Sequence, residues 1–116
     1  MNYDLEERTA KFGENIIGIL RKIKLTPLNS RIVSQLVGSS GSIGANYCEA
    51  NGSESKKDFV HKMRISLKEI KETKHWIRLL VASQPDLNEE LKPMDKEISE
   101  LYLIFSKIIK TCSQTI

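Results

Sequence analysis

Apolar positions along this chain recur in four long stretches at steps of three and four, the period of amphipathic helices, and Pro and Gly fall between the stretches. In the first, from about Tyr3 to Lys24, Leu5, Thr9, Phe12, Ile16, Ile19 and Ile23 form one stripe, as on a bundle helix. Asp4, Glu6 and Glu7 stand at its start and Arg21, Lys22 and Lys24 at its end, an order that suits the helix dipole. Thr26-Pro27 predicts a stop and a restart, with Thr as N-cap and Pro at the first helical position. The second stretch runs from about Pro27 to Ala50 and is broken by Asn51-Gly52-Ser53. Ser55, with Asp58 three residues on, predicts the start of the third, which runs to about Ala82 before Pro85-Asp86. The fourth carries Met94, Ile98, Leu101, Phe105, Ile108 and Cys112. Asp86 with Glu89 is a plausible cap for it, but that start puts Pro93 inside, where it bends the helix. The expectation is an all-α chain: one domain over residues 1–116, an antiparallel up-down-up-down four-helix bundle with helices at about 3–24, 27–50, 55–82 and 87–113.

The segment Gln35–Asn51 changes the picture of the second helix. Ile32, Leu36, Ile43, Tyr47 and Ala50 share one face, yet Gly38, Gly41 and Gly44 interrupt it, each costing roughly 1 kcal/mol relative to Ala. Close approach of another backbone is the usual compensation. A phosphate loop is the competing reading. It fails on spacing, because no Lys-Ser/Thr follows the glycines and no strand precedes them.

The third helix sorts into three faces. Phe59, Met63, Ile70, Ile77 and Val81 form the core stripe. Lys57, Arg64, Lys68, Lys71, His75 and Arg78 form one flank, and Asp58, Ile65, Glu69, Glu72, Trp76 and Leu79 the other. A bundle helix needs one apolar face, so Ile65, Trp76 and Leu79 point to an oligomer contact, although Trp76 could also wrap the edge of its own core. The basic flank is either a solvated face or a row that tracks a phosphate backbone through Lys57, Arg64, Lys68, Lys71 and Arg78. Asn46 and Glu49, near the turn into the third helix, and Glu69 and Glu72 are expected to form a structural polar network that fixes the helix register.

Length and composition set bounds. The 116 residues, 40% of them hydrophobic, can bury a real core. The net charge of +3 is too small to argue for nucleic acid by itself. No apolar run approaches a bilayer span, and the charged start MNYDLEERTAKF is no secretory signal. Cys48 and Cys112 lack the spacing of a disulfide framework or a zinc site, so they read as reduced and structural, near apolar stripes. A cytoplasmic protein is expected. Glu69-x-x-Glu72-x-x-His75 holds a Glu-x-x-His element, but a di-iron bundle needs a second one on another helix, and His61 and His75 lie on the same helix. Ser39, Ser40 and Ser42 form no nucleophile elbow, and Cys48 has no evident His partner. No catalysis, metal or cofactor is expected.

The ordered set Gln35-Leu36, Ser39, Ser42-Ile43-Gly44-Ala45-Asn46, Glu49, Ser55, Lys57-Asp58-Phe59, Lys62, Lys68-Glu69, Glu72-Thr73, Trp76 and Leu79-Leu80 resembles the four-helix bundle family, also called the 23S ribosomal RNA intervening-sequence protein family. The resemblance implies a bacterial protein with a left-handed antiparallel bundle that assembles as a ring-like homopentamer, in a family whose biochemical role is largely unassigned. A similar fold serves as the accessory protein of diversity-generating retroelements, a basic pentamer that binds nucleic acid and the reverse transcriptase. By analogy of fold, the resemblance implies an interaction module with RNA or DNA as ligand. The alternative is a protein-only scaffold or adaptor whose partner is encoded nearby. Two departures stand out. Gly38 replaces a frequent basic residue, which removes one charge per subunit. Ser66 replaces a small apolar residue, and its hydroxyl is expected to bond back to the preceding turn.

Overall fold

The computed structural model describes residues 4–114; the first residue assigned to the first helix above, Tyr3, lies outside them. Four helices follow in order: α1 Leu5–Leu20, α2 Ser30–Asn51, α3 Lys56–Ser83 and α4 Asn88–Ser113, with a single 3-10 turn at Pro85–Leu87. Each packs on the next in sequence: α1 on α2, most extensively α2 on α3, and α3 on α4, while α1 touches α4 over a short stretch. Partner residues run in reverse order across the seams. Ser66 bonds to Ile43 and Thr73 to Ser39, while Asn51 at the end of α2 bonds to Glu6 at the start of α1. These neighbours are therefore antiparallel. The molecule measures 47 × 23 × 20 Å, with α3 alone about 42 Å long at 1.5 Å per residue.

Side-chain caps set the starts of α1 and α3. Asp4, in the left-handed region at φ 49°, accepts from the Glu7 amide, and Ser55 accepts from the Asp58 amide at 3.0 Å, as its spacing predicted. The first junction differs from expectation. α1 ends at Leu20 and α2 begins at Ser30, so Arg21, Lys22 and Lys24 follow the last helical turn instead of occupying it. Thr26 and Asn29 form a reciprocal box: the Thr26 amide donates to Asn29 Oδ1 at 2.9 Å, and the Asn29 amide donates to Thr26 Oγ1 at 3.3 Å. Asn29, fully buried, also donates through Nδ2 to Lys24 O and to Gln84 Oε1. These bonds satisfy the junction without extending either helix. Pro93 does lie inside α4.

The core takes Leu5, Phe12 and Ile16 from α1, Leu36 and Ile43 from α2, Met63, Ile70 and Leu80 from α3, and Ile98, Leu101 and Phe105 from α4. Tyr47 packs its ring on Phe105 with centroids 5.6 Å apart. The stripe read for α3 shares Met63, Ile70 and Ile77 with the line the structure buries. That line is Val60, Met63, Ser66, Ile70, Thr73, Ile77 and Leu80, and Phe59 and Val81 are only half-buried beside it. Arg8 grips Glu97 bidentately from α1 to α4 at 2.7 and 2.8 Å. The hydrogen bond that Arg8 donates to Glu97 raises the guanidinium pKa against the opposing effect of burial, and the charges of Glu97 and Glu100 add to the rise. No helix among the described residues is long and apolar enough to cross a membrane.

Candidate nucleic-acid interface

A straight helix with charges at steps of three, four and seven aligns them on one face. On α3, Lys57, Arg64, Lys68, Lys71 and Arg78 follow those steps, and all five are exposed. The row extends about 32 Å at helical rise. None of the five forms an ion pair among the described residues. The ion pairs there use Arg8, Lys22, Lys62, Lys74 and Lys92 instead. Lys74, one turn from Lys71 and Arg78, reaches Asp95 at 3.3 Å and Ser99 at 2.6 Å and fastens α3 to α4. His75 stands exposed at the same level, edge-on to Trp76 at 5.3 Å. The arrangement gives a row of cations whose charge is not already neutralised, the condition for meeting a polyanion.

The opposite flank divides. Ile65 is 36% exposed, while Trp76 is half-buried against the core cluster and Leu79 is half-buried. Trp76 wraps the edge of its own core and is half-exposed. On the outer face of α2, Val37, Gly38, Gly41, Ala45 and Cys48 are exposed. A Cβ at Gly38 or Gly41 meets nothing within 4 Å, whereas one at Gly44 lies 3.0 Å from Thr9 Oγ1 and 3.4 Å from Thr9 Cβ. Close backbone approach thus accounts for Gly44, where α1 crosses, and not for the other two. Cys48 sits on this outer face and not on the core side; of the two, Cys112 packs against the core, and neither forms a disulfide.

The polar network expected of Asn46, Glu49, Glu69 and Glu72 is not formed. Asn46 Nδ2 turns back to Ser42 O within α2 at 2.8 Å, Glu49 is exposed, and no hydrogen bond joins the four among the described residues. Burial, and secondarily the charge of Glu72, raises the Glu69 carboxyl above its ordinary pKa, with Lys68 opposing the rise. The seam is instead held by small hydroxyls. Ser66 Oγ donates across to Ile43 O at 2.8 Å, not back to its own preceding turn, and Thr73 Oγ1 donates to Ser39 Oγ at 2.9 Å. All three hydroxyl residues are buried. A signal for them exists in the sequence: Ser66 and Thr73 are seven apart, in register with Met63 and Ile70 on one helical face. Among the described residues no three His, Cys, Asp or Glu side chains group in a way that could hold a metal ion.

The same architecture occurs in a crystal structure of a protein of unknown function from the S23 ribosomal protein family of Bacteroides thetaiotaomicron VPI-5482. The two superpose with a TM-score of 0.79 at 28% sequence identity, over 90% of this chain and 97% of that one. No curated protein matches the chain. Residues 2–107 match the model of the 23S rRNA-intervening sequence proteins, and the chain belongs to that family.

Proposed function

We propose that this protein is a non-enzymatic, homo-oligomeric bundle that presents the basic row of α3 to RNA or DNA. The observation that carries this reading is the row itself: Lys57, Arg64, Lys68, Lys71 and Arg78, exposed and outside the ion pairs of the fold. Cations left unpaired on one face keep their full attraction for phosphate, and each contact releases counterions from a nucleic acid. Two observations support self-assembly: small exposed residues on the outer face of α2 let a second backbone approach closely, and Ile65, Trp76 and Leu79 leave apolar surface exposed on α3. A left-handed bundle in a ring-like pentamer is the finer form of this reading, and a ring would repeat the row around its circumference. The protein acts inside the bacterial cytoplasm and needs no cofactor.

Anisotropy of a fluorescein-labelled single-stranded RNA across a salt series tests the nucleic-acid reading. Five phosphate contacts predict a slope of log K against log salt of about −3.5. Lys57→Glu, Arg64→Glu and Lys68→Glu together should flatten that slope and weaken binding at least about tenfold. Absence of binding at low salt makes the row a solvated face and leaves the protein-only scaffold, with a partner encoded nearby, as the function.

A further inference from the structure

Between α3 and α4 runs an open groove of about 920 Å³. Ile70, Ile77 and Leu91 line it and are buried, so they form its floor, with half-buried Val81 and Leu103, 66% exposed, nearer the surface. Lys71, Lys74, Arg78 and Lys92 stand along it against a single carboxylate, Asp95. Lys74 and Lys92 already pair with Asp95 and Glu89, while Lys71 and Arg78 form no ion pair among the described residues. An apolar trough with unneutralised cations on its wall is suited to an amphipathic anion and poorly suited to plain water.

We propose that this groove seats a short, acidic amphipathic helix of a partner protein. Ile70 to Val81 extends about 16 Å along α3, which matches about three turns of an incoming helix. Helix-in-groove recognition places apolar anchors at i, i+3, i+4 and i+7 on such a floor, and carboxylates on the flank of that helix then meet Lys71 and Arg78. The aliphatic floor decides against nucleic-acid bases. Single-stranded nucleic acid is held by aromatic platforms, and His75 and Tyr102 are the only rings on this lining. Lys57, Arg64 and Lys68, which lie outside the groove, offer phosphates a row with no trough beside it. Lys71 and Arg78 belong to both surfaces, so RNA on the full row and a helix in the groove compete for them, while the apolar floor serves the helix alone.

The test uses the full chain and three labelled peptides of about 14 residues. The first has leucines at i, i+3, i+7 and i+10 with flanking glutamates. The second scrambles the same composition, and the third replaces each glutamate by lysine. The amphipathic acidic peptide should bind at about micromolar concentration, with the other two at least about tenfold weaker. Leu103→Glu and, separately, Arg78→Glu should each weaken it about tenfold while the helical circular dichroism spectrum is unchanged; Lys71→Glu provides a third variant. Equal binding of the scrambled peptide would reduce the effect to bulk charge and overturn the proposal, as would no binding or indifference to Leu103→Glu. Loss of RNA binding in Leu103→Glu would assign the groove to bases. A fall in native mass in that variant would assign it to a contact between copies.

Discussion

Asn29 ties three segments with one amide. It closes the box with Thr26, holds the Lys24 carbonyl after α1 and reaches Gln84 at the end of α3. Asn29→Ala leaves the Thr26 amide and two acceptors to find water at a buried site, at a cost of about 2 kcal/mol. Urea unfolding should show a lower midpoint with an unchanged m-value. The sequence announces a junction at Thr26-Pro27 but not its hub, because an asparagine three residues after a threonine looks like any polar turn. Glu69 is a second residue-scale case. Its carboxyl pKa is raised on folding by burial and by Glu72, so the protonated form is the one the fold favours. Its contribution is fully present below the unfolded pKa and lost as pH rises through the folded one. Glu69→Gln should therefore raise the melting temperature at neutral pH. The gain should shrink as the solution is acidified through the Glu69 titration, which thermal scans over a pH series would read.

Helix count and order are legible because each apolar stripe keeps its period over several turns: α1, α2 and α4 bury the middle of each stripe, while Ile32, Tyr47, Met94, Ile108 and Cys112 are half-buried and Ile23 lies past the end of α1. On α3 the reading drifts for a definable reason. Two of its core positions, Ser66 and Thr73, are hydroxyl residues, and apolar bookkeeping steps around them to Phe59 and Val81. These hydroxyls are stable inside only because α2 supplies acceptors, Ile43 O and Ser39 Oγ, and no acceptor on another helix is visible from the sequence of α3 alone. The pair across the seam is open to a double-mutant cycle. Thr73→Val should cost about 1 kcal/mol, and Ser39→Ala a similar amount. The double variant should cost less than the sum, because both partners are then removed and neither hydroxyl is stranded. Additive losses would mean that the bond contributes nothing beyond the separate environments of its ends. The same limit applies to the groove between α3 and α4. Its residues are scattered from Ile70 to Leu103, and only the packing of the two helices brings them together.

At the scale of the whole molecule, Gly38 and Gly41 are expensive for a helix that gains nothing from them within its own bundle. An alanine Cβ fits at either site, and the protomer alone would be more stable by up to about 1 kcal/mol per substitution. On the proposed self-assembly, the outer face of α2 is the surface these glycines keep smooth. If a second copy lies there, bulk at Gly41 separates the two kinds of stability. Gly41→Leu should keep or raise helicity in dilute solution, where the protomer stands alone. It should lower the mass measured by analytical ultracentrifugation and remove the dependence of the unfolding midpoint on protein concentration, since association stabilises only the folded state. Trp76→Ala is the blunter version, because half of that side chain supports its own core and its loss lowers both stabilities together. A Gly41→Leu protein that keeps its parent's mass at dilute concentration would remove the assembly argument from this face. The basic row would then act with the charge of one subunit instead of a ring's.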